Sequence, residues 1–138
     1  MKRQTLAASL LLLFAPAAFG QTQTGASKLR SPNGRVEITF ALDAEGAPTY
    51  SVSYDGRTVV TPSRLGLVFK EHGPLSAGME VLRVRQRARD SRYDLVVGKT
   101  SRVRDRFNEL ALELRETIGA RRRLQLFFRA YDDGAAFR

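Results

Sequence analysis

The chain has 138 residues, enough for one domain with a modest core, and no cysteine, which excludes disulfides and thiolate metal sites as its means of cohesion. Its formal net charge is +9, yet the excess is arginine spread through strand-like segments among acids, with no lysine-rich block of the kind that follows a nucleic-acid backbone. A solvated basic face is expected, and nucleic acid is not an expected partner.

The first twenty residues read as a signal peptide. Lys2 and Arg3 form a positive n-region, Leu6 to Phe14 an apolar stretch, and Ala18-Phe19-Gly20 places small residues where a signal peptidase reads. Cleavage after Gly20 and export to the periplasm or medium are therefore expected. The apolar stretch is too short for a transmembrane helix, so no membrane span is expected. Residues 21–28 are small and polar, and are expected to be a disordered lead-in.

After the turn cluster Ser31-Pro32-Asn33-Gly34, residues Arg35 to Leu42 alternate strictly, with Val36, Ile38, Phe40 and Leu42 on one face of a strand. Asp43 to Gly46 turns the chain into a hairpin that organises the first half of the sequence. Tyr50, Val52 and Tyr54 share one face, and Asp55-Gly56 suits a type I′ turn, which needs positive φ at both central residues. A two-residue loop there sets Tyr54 against Arg57, Val52 against Val59 and Tyr50 against Thr61. Pro62 cannot donate to a ladder, so this strand is expected to stop there or to lie on an edge. Arg64 to Lys70 alternates again and is expected to be a third strand, followed by a loop from Glu71 to Gly78.

Met79 to Arg87 is expected to be a strand in which Arg83, Arg85, Arg87 and Arg89 share one parity. No aromatic interleaves to stack a base, and charged side chains of this kind suit an exposed sheet edge. A short strand is expected from Tyr93 to Val97. In the following segment Asn108, Leu110, Leu112 and Leu114 alternate with Glu109, Ala111 and Glu113. Helix competes here, because Leu, Glu and Ala are good helix formers, but the strict alternation favours a strand. Arg121 to Ala130 is a strand apolar on both faces. Its register against the preceding strand is left open, since a one-residue change in loop length exchanges its faces. Asp132-Asp133-Gly134 turns the chain, and Ala135 to Arg138 begins another strand. Seven or eight short strands at hairpin spacing give an all-β fold, an antiparallel β-sandwich incomplete at its C-terminal end.

Nucleophile triads, phosphate-cradling glycine loops and metal-ligand clusters do not occur in this sequence. His72 lies alone among loop breakers. Glycoside hydrolysis needs two carboxylates flanking a bond, and the acids available are Glu109, Glu113, Glu116, Asp132 and Asp133. Asp132-Asp133-Gly134 has the composition of a cation-binding turn and equally that of an ordinary turn. Asn108 continues the apolar parity of Leu110 and Leu112, so it points inward and needs partners, structural or ligand. Asn108 and Glu109 are the candidate substrate-binding residues; no catalytic or metal-ligating residue is assigned.

Several pieces together carry a family resemblance. Pro48-Thr-Tyr, Pro62-Ser-Arg-Leu-Gly-Leu67, Gly98-Lys99, Asn108-Glu109-Leu110 and Tyr131-Asp-Asp-Gly-Ala-Ala-Phe-Arg138 occur in an order that resembles the N-terminal domain of glycoside hydrolase family 97. The resemblance covers residues 29–138. It implies an N-terminal β-sandwich belonging to a secreted, calcium-dependent α-glucosidase or α-galactosidase with a central (β/α)₈ barrel. It further implies that the catalytic carboxylates and most calcium ligands lie in that barrel, and that the sandwich's own calcium-ligating glutamate lies beyond Phe137-Arg138. No catalytic or metal residue of the family therefore transfers to these positions. The implied partners are the catalytic barrel of the same polypeptide and an α-linked oligosaccharide. The alternative is a free-standing periplasmic β-sandwich that binds carbohydrate, for which Tyr50, Tyr54, Tyr93 and Tyr131 would have to supply an aromatic platform.

Overall fold

The computed structural model describes residues 25–96 and 101–138. The expected signal peptide and the Gly98-Lys99 piece lie outside them. Eight strands run in chain order: β1 (Ser27–Arg30), β2 (Val36–Leu42), β3 (Pro48–Tyr54), β4 (Arg57–Arg64), β5 (Met79–Asp94), β6 (Arg102–Glu116), β7 (Arg123–Tyr131) and β8 (Ala135–Phe137). They form two four-stranded antiparallel sheets, β1-β2-β3-β4 and β5-β6-β7-β8, packed face to face. The described residues contain no helix, and the fold is the all-β sandwich expected from the alternation pattern.

The core follows from that alternation. Leu29 pairs with Ile38 and Ile38 with Val52, so three strands turn apolar side chains to the same face. Leu110, Leu112 and Leu114 of β6 and Leu126, Phe128 and Ala130 of β7 meet them from the second sheet. Phe40 and Phe128 pack across the interface with ring centroids 5.9 Å apart. Each such buried aromatic or leucine contributes about 1.5–3 kcal/mol by leaving water.

The Asp55-Gly56 turn forms as expected, with φ of 48° and 76°. The hairpin register beyond it does not. Tyr54 faces Arg57 and Ser53 faces Thr58, but Val52 then faces Val60 rather than Val59, and Tyr50 faces Ser63 rather than Thr61. The two register shifts are bulges, which place an extra residue on one strand and re-aim the side chains that follow. Val59 is accordingly 66% exposed and Val60 half-buried. Pro62 does not end β4, which runs on to Arg64. β4 is an edge strand, so a missing N–H is tolerated there.

The expected third strand from Arg64 to Lys70 is absent. Leu65 packs against the core, Leu67 makes an isolated bridge with Leu75, and Val68 is 88% exposed. This segment is part of the crossover from the first sheet to the second. The strand expected at Met79–Arg87 continues to Asp94 as β5, because pairing to β6 runs unbroken through Asp90–Arg106 and Ser91–Asp105; of the strand expected at Tyr93–Val97 only Tyr93 and Asp94 belong to it, Leu95 and Val96 lie past its end, and Val97 lies outside the described residues. The strand reading of Asn108–Arg115 holds over the helical one. Strand β1 starts at Ser27, inside the stretch expected as lead-in.

Three polar ties fasten the sheets. The Gln86 amide donates to the Lys28 carbonyl at 3.0 Å and the Asn108 amide to the Arg30 carbonyl at 2.8 Å. These are alternate carbonyls of β1, an edge strand, and they face away from β2, so each amide from the second sheet supplies a partner the ladder lacks. At one end, the backbone N–H of Asn33 donates to Asp132 Oδ1 at 2.8 Å, and Asn33 Nδ2 donates to the Asp132 carbonyl at 3.0 Å.

Candidate functional site

Asn108 and Glu109 are adjacent on β6, so they point to opposite faces. Asn108 turns into the sandwich, where its amide is spent on the Arg30 carbonyl. Glu109 turns outward, yet it is only 1% exposed. Pairing of β6 with β5 and β7 places Arg87 and Arg129 on either side of it in one row. Arg87 Nε lies 2.7 Å from Oε1 and Arg129 Nε 2.8 Å from Oε2, so each carboxylate oxygen has its own guanidinium.

The neighbouring row completes the cover. Phe107 is fully buried, with the Arg129 guanidinium 4.3 Å from its ring centroid and the Tyr131 ring 5.3 Å away. Arginine is suited to this, since its planar cation can stack on a ring and bond a carboxylate at once. Burial alone pushes the Glu109 carboxyl up. The hydrogen bonds from Arg87 and Arg129, with their charges, outweigh burial and hold it below the ordinary glutamate range. A carboxylate so held, with both oxygens taken and no solvent path, is a structural anion rather than a general acid or base.

The other carboxylates are engaged in the same manner. Glu113 pairs with Arg123 at 3.0 Å. Glu116 pairs with Arg122 at 2.6 Å, and this bond draws its pKa down; Arg122 also donates to the carbonyls of Gly73 and Pro74, pinning the crossover loop. Asp132 is committed to Asn33, with Arg106 at 3.5 Å. Among the described residues no group of three His, Cys, Asp or Glu side chains could hold a metal ion. The Asp132-Asp133 turn does not fit calcium, which takes six to eight oxygens, because Asp132 is already clamping the two sheets together. His72 is exposed in the crossover loop.

The structure distributes the remaining candidates. Tyr50 and Tyr54 line a cleft between the sheets, Tyr131 stacks on Phe107 on the outer face, and Tyr93 lies near the end of β5, so the four make no common platform. The arginine ribbon lies on β5, which is an edge strand as expected, and it is partly neutralised in place: Arg87 by Glu109, and Arg89 by Asp105 at 3.7 Å. The Arg87–Glu109–Arg129 row is the feature that sequence reasoning missed. Its signal was the shared parity of Arg87 with its neighbours, but the match to Arg129 depends on the β6–β7 register.

With that geometry in hand, comparison with known proteins identifies the class. The family described as glycosyl-hydrolase 97 N-terminal matches residues 29–138. The chain belongs to this family. It is 37% identical over 118 residues to a probable retaining alpha-galactosidase of Streptomyces bingchenggensis, covering 85% of this chain and 18% of that one. A glycoside hydrolase family 97 enzyme from Pseudoalteromonas sp. strain K8, solved in complex with panose, superposes with a TM-score of 0.76 at 27% identity, over 80% of this chain and 17% of its own. A beta-arabinopyranosidase gives a TM-score of 0.72 at 28% identity, with the same shares covered. The chain thus spans less than a fifth of the length of these relatives.

Proposed function

We propose that this chain is the N-terminal, non-catalytic sandwich of an exported glycoside hydrolase, and that a catalytic (β/α)₈ barrel in the same polypeptide performs the chemistry. The observation that carries this reading is the family match over residues 29–138, set beside the engagement of Glu109, Glu113, Glu116 and Asp132 in ion pairs or clamps. A domain whose acids are committed in this way has a supporting role: it presents a rigid sheet and leaves substrate to another part of the molecule.

The substrate we propose for the whole enzyme is an α-linked glucoside or galactoside. The α-galactosidase name of the Streptomyces relative and the panose bound by the Pseudoalteromonas enzyme support that choice. Calcium, if the parent enzyme uses it, would be held by residues outside those described.

The test pairs two proteins. This chain alone, offered nitrophenyl α-glucoside and α-galactoside with calcium, is expected to give no turnover. Joined to the catalytic part encoded downstream, it is expected to give a soluble, active enzyme. Calcium-dependent turnover by the chain alone overturns the assignment, as does a downstream region with no barrel.

A further inference from the structure

The outer face of the second sheet is organised in rows that run across β5, β6 and β7. Arg87, Glu109 and Arg129 make one row, with the carboxylate held between two guanidinium groups. Two residues along each strand, about 7 Å away, the next row is Arg85, Ala111 and Phe127. The row beyond is Arg83, Glu113 and Gln125. The middle row thus has its arginine, but an alanine stands where the rows on either side have a carboxylate.

A cavity of about 170 Å³ opens at Ala111, lined by Arg83, Arg85, Glu113, Gln125 and Phe127. The acids around it are engaged elsewhere: Glu109 by Arg87 and Arg129, Asp105 by Arg89, and Glu113 by Arg123 at 3.0 Å through Oε1. Among the described residues this leaves Arg83 and Arg85 without a carboxylate of their own. Both arginines are exposed, whereas Ala111 and Phe127 are half-buried and give the cavity an apolar floor. The Arg138 guanidinium lies 4.8 Å from the Phe127 ring centroid, so the row is cationic at both ends.

We propose that this cavity binds a hexuronate, a sugar ring bearing one carboxylate. The carboxylate takes the place over Ala111 that Glu109 fills in the neighbouring row, bonded by the Arg83 and Arg85 guanidinium groups. The ring rests against Ala111 and Phe127, and its hydroxyls reach Glu113, which accepts, and the Gln125 amide, which accepts and donates. Three observations select this ligand. The lining carries two cations and one anion, and that excess of one positive charge matches a single carboxylate. Glu113 favours a partner that can donate: sulfate has no hydroxyl to offer, and a neutral sugar would leave both arginines unanswered. The cavity is also smaller than the about 300–1,000 Å³ of a drug-sized site, so it holds one ring. With one carboxylate in the lining, it holds the sugar and does not hydrolyse it.

The test is an amide NMR titration of this chain with galacturonate, with galactose and sulfate as controls. Galacturonate is expected to shift the Arg85, Ala111 and Gln125 amides saturably at millimolar concentration, and less in high salt. Arg85→Gln, at an exposed position, is expected to weaken binding at least tenfold. Ala111→Glu supplies the missing carboxylate from the chain itself and is expected to abolish binding while the Leu110 and Leu112 amides stay protected from exchange. Equal shifts with galactose overturn the proposal. So do equal shifts with sulfate, which assign the site to any small anion, or galacturonate binding that survives both substitutions. Trigalacturonate binding several-fold tighter assigns the source to an acidic polysaccharide, and equal affinity assigns it to the free sugar acid. The chain joined to its catalytic part must give the same shifts; their loss means that the rest of the enzyme covers this face, and it overturns the site. No arm measures turnover, so this proposal and the hydrolase reading fail separately.

Discussion

Glu109 illustrates how neighbours decide the behaviour of one residue. A glutamate removed from water is costly unless it is fully paired, and here two guanidinium groups supply the pairing while their outer atoms stay hydrated. Glu109→Gln keeps the shape and removes the charge. We expect a loss of about 1–3 kcal/mol at neutral pH, measured by urea unfolding. The pH dependence follows from the depressed pKa: the stabilisation is fully present above the unfolded-state value of about 4.3 and disappears as pH falls through the lower folded-state value. Variant and parent stabilities should therefore converge in acid. A gap that stays constant to low pH would show that the carboxylate charge is not what stabilises the row. Glu37, Asp43, Asp55, Asp90 and Glu116 are shifted in the same direction, so the parent itself should weaken in that window.

Asn108 makes the complementary case, a donor whose value lies in what it satisfies. Asn108→Leu leaves the Arg30 carbonyl of β1 without its partner, and we expect a cost of about 1–3 kcal/mol with faster amide exchange in β1. Asn108→Asp should not rescue it, because a carboxylate cannot donate to a carbonyl. Rescue by Asp would point to a role in shape rather than in hydrogen bonding.

At the scale of elements, the crossover from sheet to sheet depends on a close backbone approach. The turn before β3 abuts the start of β5, with Met79 N–H donating to the Gly46 carbonyl at 2.9 Å. Gly46 has φ of 71°, and a Cβ there would lie 2.8 Å from Met79 N. Gly46→Ala should lower stability by at least about 1–2 kcal/mol from the left-handed conformation alone, with a further loss from the displaced β5 terminus. A melting temperature unchanged by this substitution would mean that the junction is looser than its geometry.

The elements also show what could be read in advance. Strands β2, β3 and the β6 stretch were legible because one face had to be apolar at every second position. The hairpin turn was legible because Asp55-Gly56 has few alternatives. The pairing past Ser53 was not, since Val59 and Val60 are both apolar and only a bulge decides which faces inward. Strand β1 carries a single buried apolar residue, Leu29, too little for a periodic pattern. It is a strand because Ile38 lies opposite and because Gln86 and Asn108 receive its outward carbonyls. The Glu109 row required the registers of three strands at once, and no local pattern encodes that.

For the whole molecule, the excess of arginine is absorbed into rows and ends of the sheets rather than gathered into one field. Lys28 and Arg30 both meet Glu37, Arg35 meets Asp55, Arg104 meets Asp90, and Arg115 meets Glu80. Most of these pairs are exposed and screened by water, so each contributes little. Export is the remaining expectation at this scale. Expression in a secreting bacterium should yield a mature chain beginning at Gln21, detected by mass spectrometry of the periplasmic fraction. An intact Met1 on cytoplasmic protein would refute it.

The order of the strands has a consequence for time as well as for shape. Both sheets are simple meanders, so every hydrogen-bonded neighbour is the next strand in sequence, and each sheet can zip from local turns. Only the stacking of one sheet on the other joins distant residues, as where Asn33 finds Asp132 across a separation of 99. A chain emerging from its N-terminus can thus complete the first meander early. Ile38, Phe40 and Val52 must then stand in water until β6 and β7 arrive to cover them. That interval is when this sandwich is most open to aggregation or to a chaperone.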